Sequence, residues 1–141
     1  MRLNPFGVRF LGVLPAQQLM MRNRFIFPMA GWVNRQKRFF PNWEVEKVVF
    51  IPFRNLLNKN NYALFKVKIP GSDETSAGVD ARIFPCYIHK ENGETDLLWG
   101  ATYRIVMSFL SLIFEFAQPD EKSLPTIEWQ LDENYMTGIR S

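Results

Sequence analysis

The stretch NWEVEKVVFIPFRNLL, residues 42–57, decides how the rest of the chain is read. Glu44-Val45-Glu46-Lys47 reads as the solvated beginning of a strand. Val48-Val49-Phe50-Ile51 follows as four β-favouring apolar residues with no polar residue to mark a solvent face. A run of that kind suits a strand covered on both sides. Pro52 cannot donate to a strand ladder, so pairing is expected to stop there. Phe53, Leu56 and Leu57 then fall at i, i+3 and i+4, the spacing of one short helical turn.

Working outward toward the N-terminus, Val8 to Leu14 reads as a strand ended by Pro15, and 15–23 as a loop with Met20, Met21 and Arg22 at its tip. Residues 24–33, RFIFPMAGWV, read as a second strand in which Pro28 interrupts the ladder, the mark of an edge or a bulge. A basic loop, 34–42, leads into the central run.

Toward the C-terminus, Asn58-Lys59-Asn60-Asn61 is a turn and 62–69 a partly alternating strand. The segment from Pro70 to Gly78 is rich in Gly, Ser and acids and reads as mobile. Residues 81–89 are a strand holding Pro85, and Glu91-Asn92-Gly93-Glu94 is a turn, so 81–98 reads as a hairpin. The one strong helix is expected over 97–117. Ile105, Val106, Phe109, Leu112, Ile113 and Phe116 lie on its apolar face, Thr95 or Asp96 caps it, and Pro119 ends it. The tail from Ser123 carries only a short alternation, Ile127 to Leu131.

Strands followed by a helix give an α+β plan with a mixed or antiparallel sheet. One good helix leaves a strand that is apolar on both faces short of a covering layer. A partner, or a segment outside these 141 residues, is expected to supply it.

Composition bounds the function classes. The chain is one domain in length, with ordinary apolar and charged fractions but 15% aromatic residues, which implies a bulky core or an aromatic-lined pocket. The single Cys86 excludes an internal disulfide framework, and no signal peptide opens the chain. A reducing location, the cytoplasm, is the expectation. The longest apolar run, 105–114, is far short of the ~20 residues that cross a bilayer, so no membrane partner is expected. Charge is lopsided. Residues 1–68 hold twelve Lys/Arg against Glu44 and Glu46, a net of +10, and residues 69–141 a net of −7. A basic half attracts phosphates; folded against the acidic half, it is largely neutralised.

Several of these stretches together resemble the C-terminal part of a Nudix hydrolase, most closely the coenzyme A pyrophosphatase-like branch. Phe10 to Pro15 is similar to the strand after that family's catalytic helix, and Phe27 to Val33 to its P-x-x-G-x-V strand. Pro41 to Pro52 is similar to its N-x-E-V segment. Phe84-Pro85, with Leu98-Trp99-Gly100-Ala101-Thr102-Tyr103-Arg104-Ile105, is similar to its W-G-x-T helix. The resemblance spans about residues 6–117. It implies a partial Nudix-like domain over 1–118, with 119–141 as a C-terminal tail. The implied fold is a mixed β-sheet with one long C-terminal helix, lacking the N-terminal strands and catalytic helix.

The family's box, G-x5-E-x7-R-E-U-x-E-E-x-G-U, sets glutamates on one helix to hold Mg²⁺ at a diphosphate. No such box occurs in this chain. In the family register Met1-Arg2-Leu3 falls on the last positions of the box, with Arg2 where Gly is expected and the ligand glutamates upstream. The abrupt start then reads as a cut.

The resemblance implies a Nudix-type hydrolase of nucleoside diphosphate-linked compounds, CoA- or ADP-ribose-like, inactive as given because the metal-binding acids are absent. The alternative is a non-catalytic nucleotide- or protein-binding module, so whether the chain is itself an enzyme stays open. Mg²⁺ is the implied cofactor, a nucleotide-like small molecule the implied partner, and a homodimer the expected way to close the bare face. Nucleic acid binding through the basic half is the weakest reading.

No catalytic or metal-ligating residue is assigned. The substrate-binding candidates are Arg22, Arg24, Arg35, Trp32 and Glu44. Arginines, with Lys37 and Arg38 beside them, suit diphosphate oxygens as charge-assisted pairs, and Trp32 or Trp43 suits a nucleobase. The plainer readings are solvated loop charges and a carboxylate capping the start of a strand. Trp99 reads as packing, and His89 and Cys86 lack partners at catalytic or metal spacing.

Overall fold

The computed structural model describes residues 7–19, 24–34, 47–68 and 83–130. It is an α+β fold, mostly strands with one long helix, and the described strands form no closed barrel. Two compact units emerge. One holds residues 1–58 and 101–118, the other 59–100 and 119–141.

The described residues of the first unit form two short ribbons and two helices. Strand β1 (Val8–Val13) pairs antiparallel with β4 (Met29–Val33), and β2 (Gln17–Leu19) with β3 (Arg24–Ile26). Prolines set the breaks: Pro15 follows β1, and Pro28 separates β3 from β4 while its carbonyl accepts the Leu14 amide at 2.9 Å. The β1–β4 register shifts between Phe10 and Gly12, a bulge.

Pro52 precedes a one-turn helix, α1 (Phe53–Leu56), as the i, i+3, i+4 spacing predicts. The long helix, α2 (Gly100–Phe114), stacks Phe109 and Phe114 against Phe53 at centroid distances of 5.7 and 5.4 Å. It also holds the β2–β3 hairpin: the Arg104 guanidinium donates to the Gln18 carbonyl, and the Gln17 amide to Ser108 Oγ at 3.4 Å.

Three expectations are corrected here. Val48 to Ile51 is not a strand: these residues carry no ladder, and Val49 and Phe50 are 36% and 60% exposed. A β-favouring run becomes a strand only when another strand pairs with it. The helix begins at Gly100, not Leu97, because Leu97 to Trp99 complete a strand; Gly100 makes the switch with φ +65°, a conformation costly to any residue with a Cβ. Its buried line is Tyr103, Met107 and Leu110, whereas Leu112 and Ile113 of the expected stripe are exposed. Apolar residues surround most of this helix, so periodicity does not single out a face.

The second unit is a four-stranded sheet in the order β7-β6-β5-β8. Strand β5 (Tyr62–Lys68) pairs antiparallel with β6 (Ile83–Glu91), which turns through Asn92-Gly93 into β7 (Glu94–Trp99). Asn92 and Gly93 both have positive φ, 52° and 83°, the primed turn that matches strand twist. Strand β8 (Thr126–Gln130), which overlaps the short alternation Ile127 to Leu131 in the expected tail, lies parallel to β5. The segment 70–78 lies outside the described residues.

Alternation along β5 and β6 sorts the core. Ala63, Phe65, Val67 and Cys86 are buried on one face, with Phe84, Ile88, Leu97, Trp99 and Ile127 packed against them. Tyr62, Tyr87 and His89 are buried on the other, the two tyrosine rings meeting edge-on at 5.3 Å. The strands with buried residues on both faces are thus β5 and β6, not the run at 48–51.

Candidate functional site

The sequence-predicted candidates fall in the first unit. Arg24 opens β3 and Trp32 stands on β4; both are exposed and belong to different ribbons. Cross-strand partners share a face, so Trp32 shares one with Arg9, its partner on β1, and the ribbon there offers an indole beside a guanidinium. Arg22, Arg35 and Glu44 lie outside the described residues, as do Lys37, Arg38 and Trp43.

Charge in this unit is one-sided. Its described residues include Arg9, Arg24, Lys47, Arg54 and Arg104, against Glu115 alone. Arg104 is engaged with Gln18. Arg9, Arg24 and Arg54 are exposed and present guanidinium groups to solvent, the geometry that takes carboxylate or phosphate oxygens in pairs.

The aromatic and titratable residues of the second unit have structural surroundings. Trp99 packs against Phe65 and Phe84 with ring centroids 5.3 and 5.7 Å away. Cys86 is fully buried, and loss of water pushes its thiol up to about 11, opposed in part by the Ala63 backbone. A thiol held neutral is a poor nucleophile. Burial likewise raises the Tyr87 phenol, and donation from the Asn61 amide at 3.5 Å opposes the rise. His89 is buried with Nε2 3.5 Å from Glu91 Oε2, a contact whose geometry is not that of a hydrogen bond.

Sequence reasoning missed a cleft of about 510 Å³ in the second unit. Two 3₁₀ turns, Lys59–Asn61 before β5 and Glu121–Ser123 before β8, lead into parallel strands and therefore lie at the same end of the sheet. Lys59, Asn60 and Tyr62 line one side, Asp120, Ser123 and Leu124 the other. Asp120 spends one carboxylate oxygen on the Lys122 amide at 3.1 Å, and its carbonyl accepts from Ser123 Oγ at 2.8 Å. The volume suits a small molecule. Its only sequence signals were the asparagine-rich turn and Pro119 and Pro125.

No three His, Cys, Asp or Glu side chains among the described residues gather to hold a metal ion. No described helix is long and apolar enough to cross a membrane. The chain matches no protein-family model, no curated protein and no solved structure.

Proposed function

We propose that this chain is a Nudix-type domain that binds a nucleoside diphosphate-linked compound, CoA- or ADP-ribose-like, without hydrolysing it by its own groups. The observation that carries the reading is the excess of exposed guanidinium groups in the first unit together with the exposed indole of Trp32. Arginines neutralise the diphosphate, and an indole stacks on the base. The motif order from Phe10 to Ile105 and the Pro52 stop before a one-turn helix further support it.

Hydrolysis in the parent family needs carboxylates that hold Mg²⁺, and neither the sequence nor the described residues offer that set. No metal-assisted step is therefore assigned. What this chain's residues do is bind and orient.

Calorimetry with ADP-ribose, CoA and NADH, with and without Mg²⁺, tests the reading, with ³¹P spectra of the same samples reporting turnover. Binding that does not require Mg²⁺, with the ligand intact, is the expected result. Trp32→Ala and Arg24→Ala are each expected to weaken it about tenfold, equal to ~1.4 kcal/mol. Absence of binding to all three ligands overturns the proposal. Mg²⁺-dependent cleavage would replace it with an enzyme.

A further inference from the structure

We infer that the cleft at one end of the four-stranded sheet binds a small zwitterion of the amino-acid class, a free amino acid or a dipeptide with an apolar body. The inference does not rest on the nucleotide reading, which uses residues of the other unit.

The walls of the cleft are fixed before a ligand arrives. One is the turn Lys59–Asn61, the other the turn Glu121–Ser123 with Asp120 before it. They are fastened where the strands begin, since the Leu64 amide donates to the Pro125 carbonyl at 2.8 Å. The second turn is closed by its own bonds. The Ser123 amide donates to the Asp120 carbonyl at 2.9 Å, and the Leu124 amide to the Glu121 carbonyl at 3.2 Å. The buried Tyr62 and the half-buried Leu124 give the cleft an apolar part. Tyr62 is held edge-on to Tyr87, whose hydroxyl accepts from the Asn61 amide. A preformed site loses little affinity to ordering its own groups.

Charge and hydrogen-bond polarity select the ligand. Lys59 and Asp120 bring opposite charges to one cleft, yet among the described residues Asp120 makes no ion pair, with Lys59 or with any other cation. Its carboxylate gives one oxygen to the Lys122 amide at 3.1 Å, which leaves the other to accept. Ser123 Oγ donates its proton to the Asp120 carbonyl at 2.8 Å, so toward a ligand it too accepts. Acceptors beside a negative charge are the setting of an ammonium group. The opposite wall offers donors: the Lys59 ammonium carries three and the Asn60 amide two, more than a single existing bond uses. That is the setting of a carboxylate. A ligand with only one of the two charges meets a like charge on one wall, which disfavours phosphates and simple amines alike. A zwitterion with an apolar body satisfies both walls and the apolar part together. The volume of about 510 Å³ accommodates a molecule of that size.

The test titrates the full ¹⁵N-labelled chain with L-leucine and with the dipeptide Leu-Leu. The dipeptide holds its two charges farther apart, so the better ligand of the two reports the span between the walls. Binding of at least one is expected, with the largest amide shifts at 59–61 and 121–124. N-acetylation or C-amidation of that ligand removes one charge and is expected to weaken binding about tenfold or more. Asp120→Asn and Lys59→Gln are each expected to do the same. Asp120→Asn keeps an acceptor for the Lys122 amide, so its fold is expected to be intact. Lys59→Arg, which keeps the charge, is expected to bind more tightly than Lys59→Gln. Absence of binding by both probes overturns the proposal, as do shifts confined to other residues. Equal affinity for the acetylated form makes the cleft an anion site, and equal affinity for the amidated form a cation site; either overturns it. Indifference to Asp120→Asn overturns it equally.

Discussion

Raising the pH from 8 to 11 is expected to weaken the four-stranded sheet, and Cys86 sets the size of the effect. Its side chain is fully buried opposite Ala63 on the apolar face of β6, where desolvation raises the thiol from 9.0 to about 11. The folded value lies above the unfolded one, so folding favours the neutral thiol. That contribution is complete below pH 9 and is lost as the pH climbs through 11. A shift of that size corresponds to a loss of about 2 kcal/mol by pH 11 and ~2.7 kcal/mol at most. The Tyr87 phenol, also raised by burial, acts in the same direction.

Urea unfolding of the wild type and of Cys86→Ala at both pH values isolates the thiol, because every other titrating group is common to the two proteins. The variant is expected to lose about 2 kcal/mol less between them, a difference of roughly 1 M in midpoint for a urea slope near 2 kcal/mol/M. Since Cys86 is the only cysteine, a thiol reagent reports on it alone. At pH 8 the raised value leaves ~0.1% thiolate against ~10% for a thiol at 9.0, so native labelling is expected to be about a hundredfold slow before access is considered. Identical pH dependence of the two proteins, or labelling of the native chain at the rate of a free thiol, would refute the reasoning.

Three further outcomes follow from the packing. Phe65→Ala, at a fully buried ring set edge-on to Trp99, is expected to cost about 3–5 kcal/mol in urea unfolding, whereas Phe50→Ala, at a ring 60% exposed, is expected to cost less than about 1.5 kcal/mol. Gly100→Ala forces an L side chain into the left-handed region at φ +65°, where nothing lies within 4 Å of the added Cβ, so the loss is conformational alone, about 1–2 kcal/mol by the same assay. Glu128→Gln removes the exposed ion pair to Lys66 at 3.9 Å and is expected to change stability by less than about 0.5 kcal/mol, with little salt dependence.

The punctuation of the chain was legible and its long-range pairing was not. Pro15, Pro28 and Pro52 mark breaks in backbone pairing and Asn92-Gly93 demands a primed turn, and these breaks stand where the residues predict; the elements beside them do not all follow, since 17–19, expected within a loop, form a strand and no strand precedes Pro52. Val48 to Ile51 misleads because four β-favouring side chains describe a strand without naming its partner. Strand β8 is the converse. Its alternation was visible, but a parallel partner at Leu64 to Lys68 requires a long crossover that no local pattern encodes. Of the candidate site, Arg24 and Trp32 are exposed, but the single strand read over 24–33 is two strands of different ribbons, so the two residues do not share one strand. The cleft beside Lys59 and Asp120 was not legible, since two three-residue turns some sixty positions apart meet only because β5 and β8 run parallel.

The strand expected to be sandwiched on both sides, Val48 to Ile51, does not form, and the residues buried on two sheet faces lie elsewhere. Ala63 and Phe65 on one face, and Tyr62 and Tyr87 on the other, are all at or below 1% exposure, so β5 and β6 have their cover. What lacks cover is the β1/β4 ribbon, and a two-stranded ribbon has little stability of its own in water. Its support within the unit comes instead from contacts such as the Pro28 carbonyl to Leu14, and the unit as a whole leans on α2 holding the β2–β3 hairpin through Gln17 and Gln18. A unit of that kind gains more from a ligand or partner than a closed core does, because burial of Phe10, Val13 and Met29 is still available to it. Binding sites are drawn from the less stable part of a fold for the same reason. The basic, apolar unit is therefore where function is to be sought first.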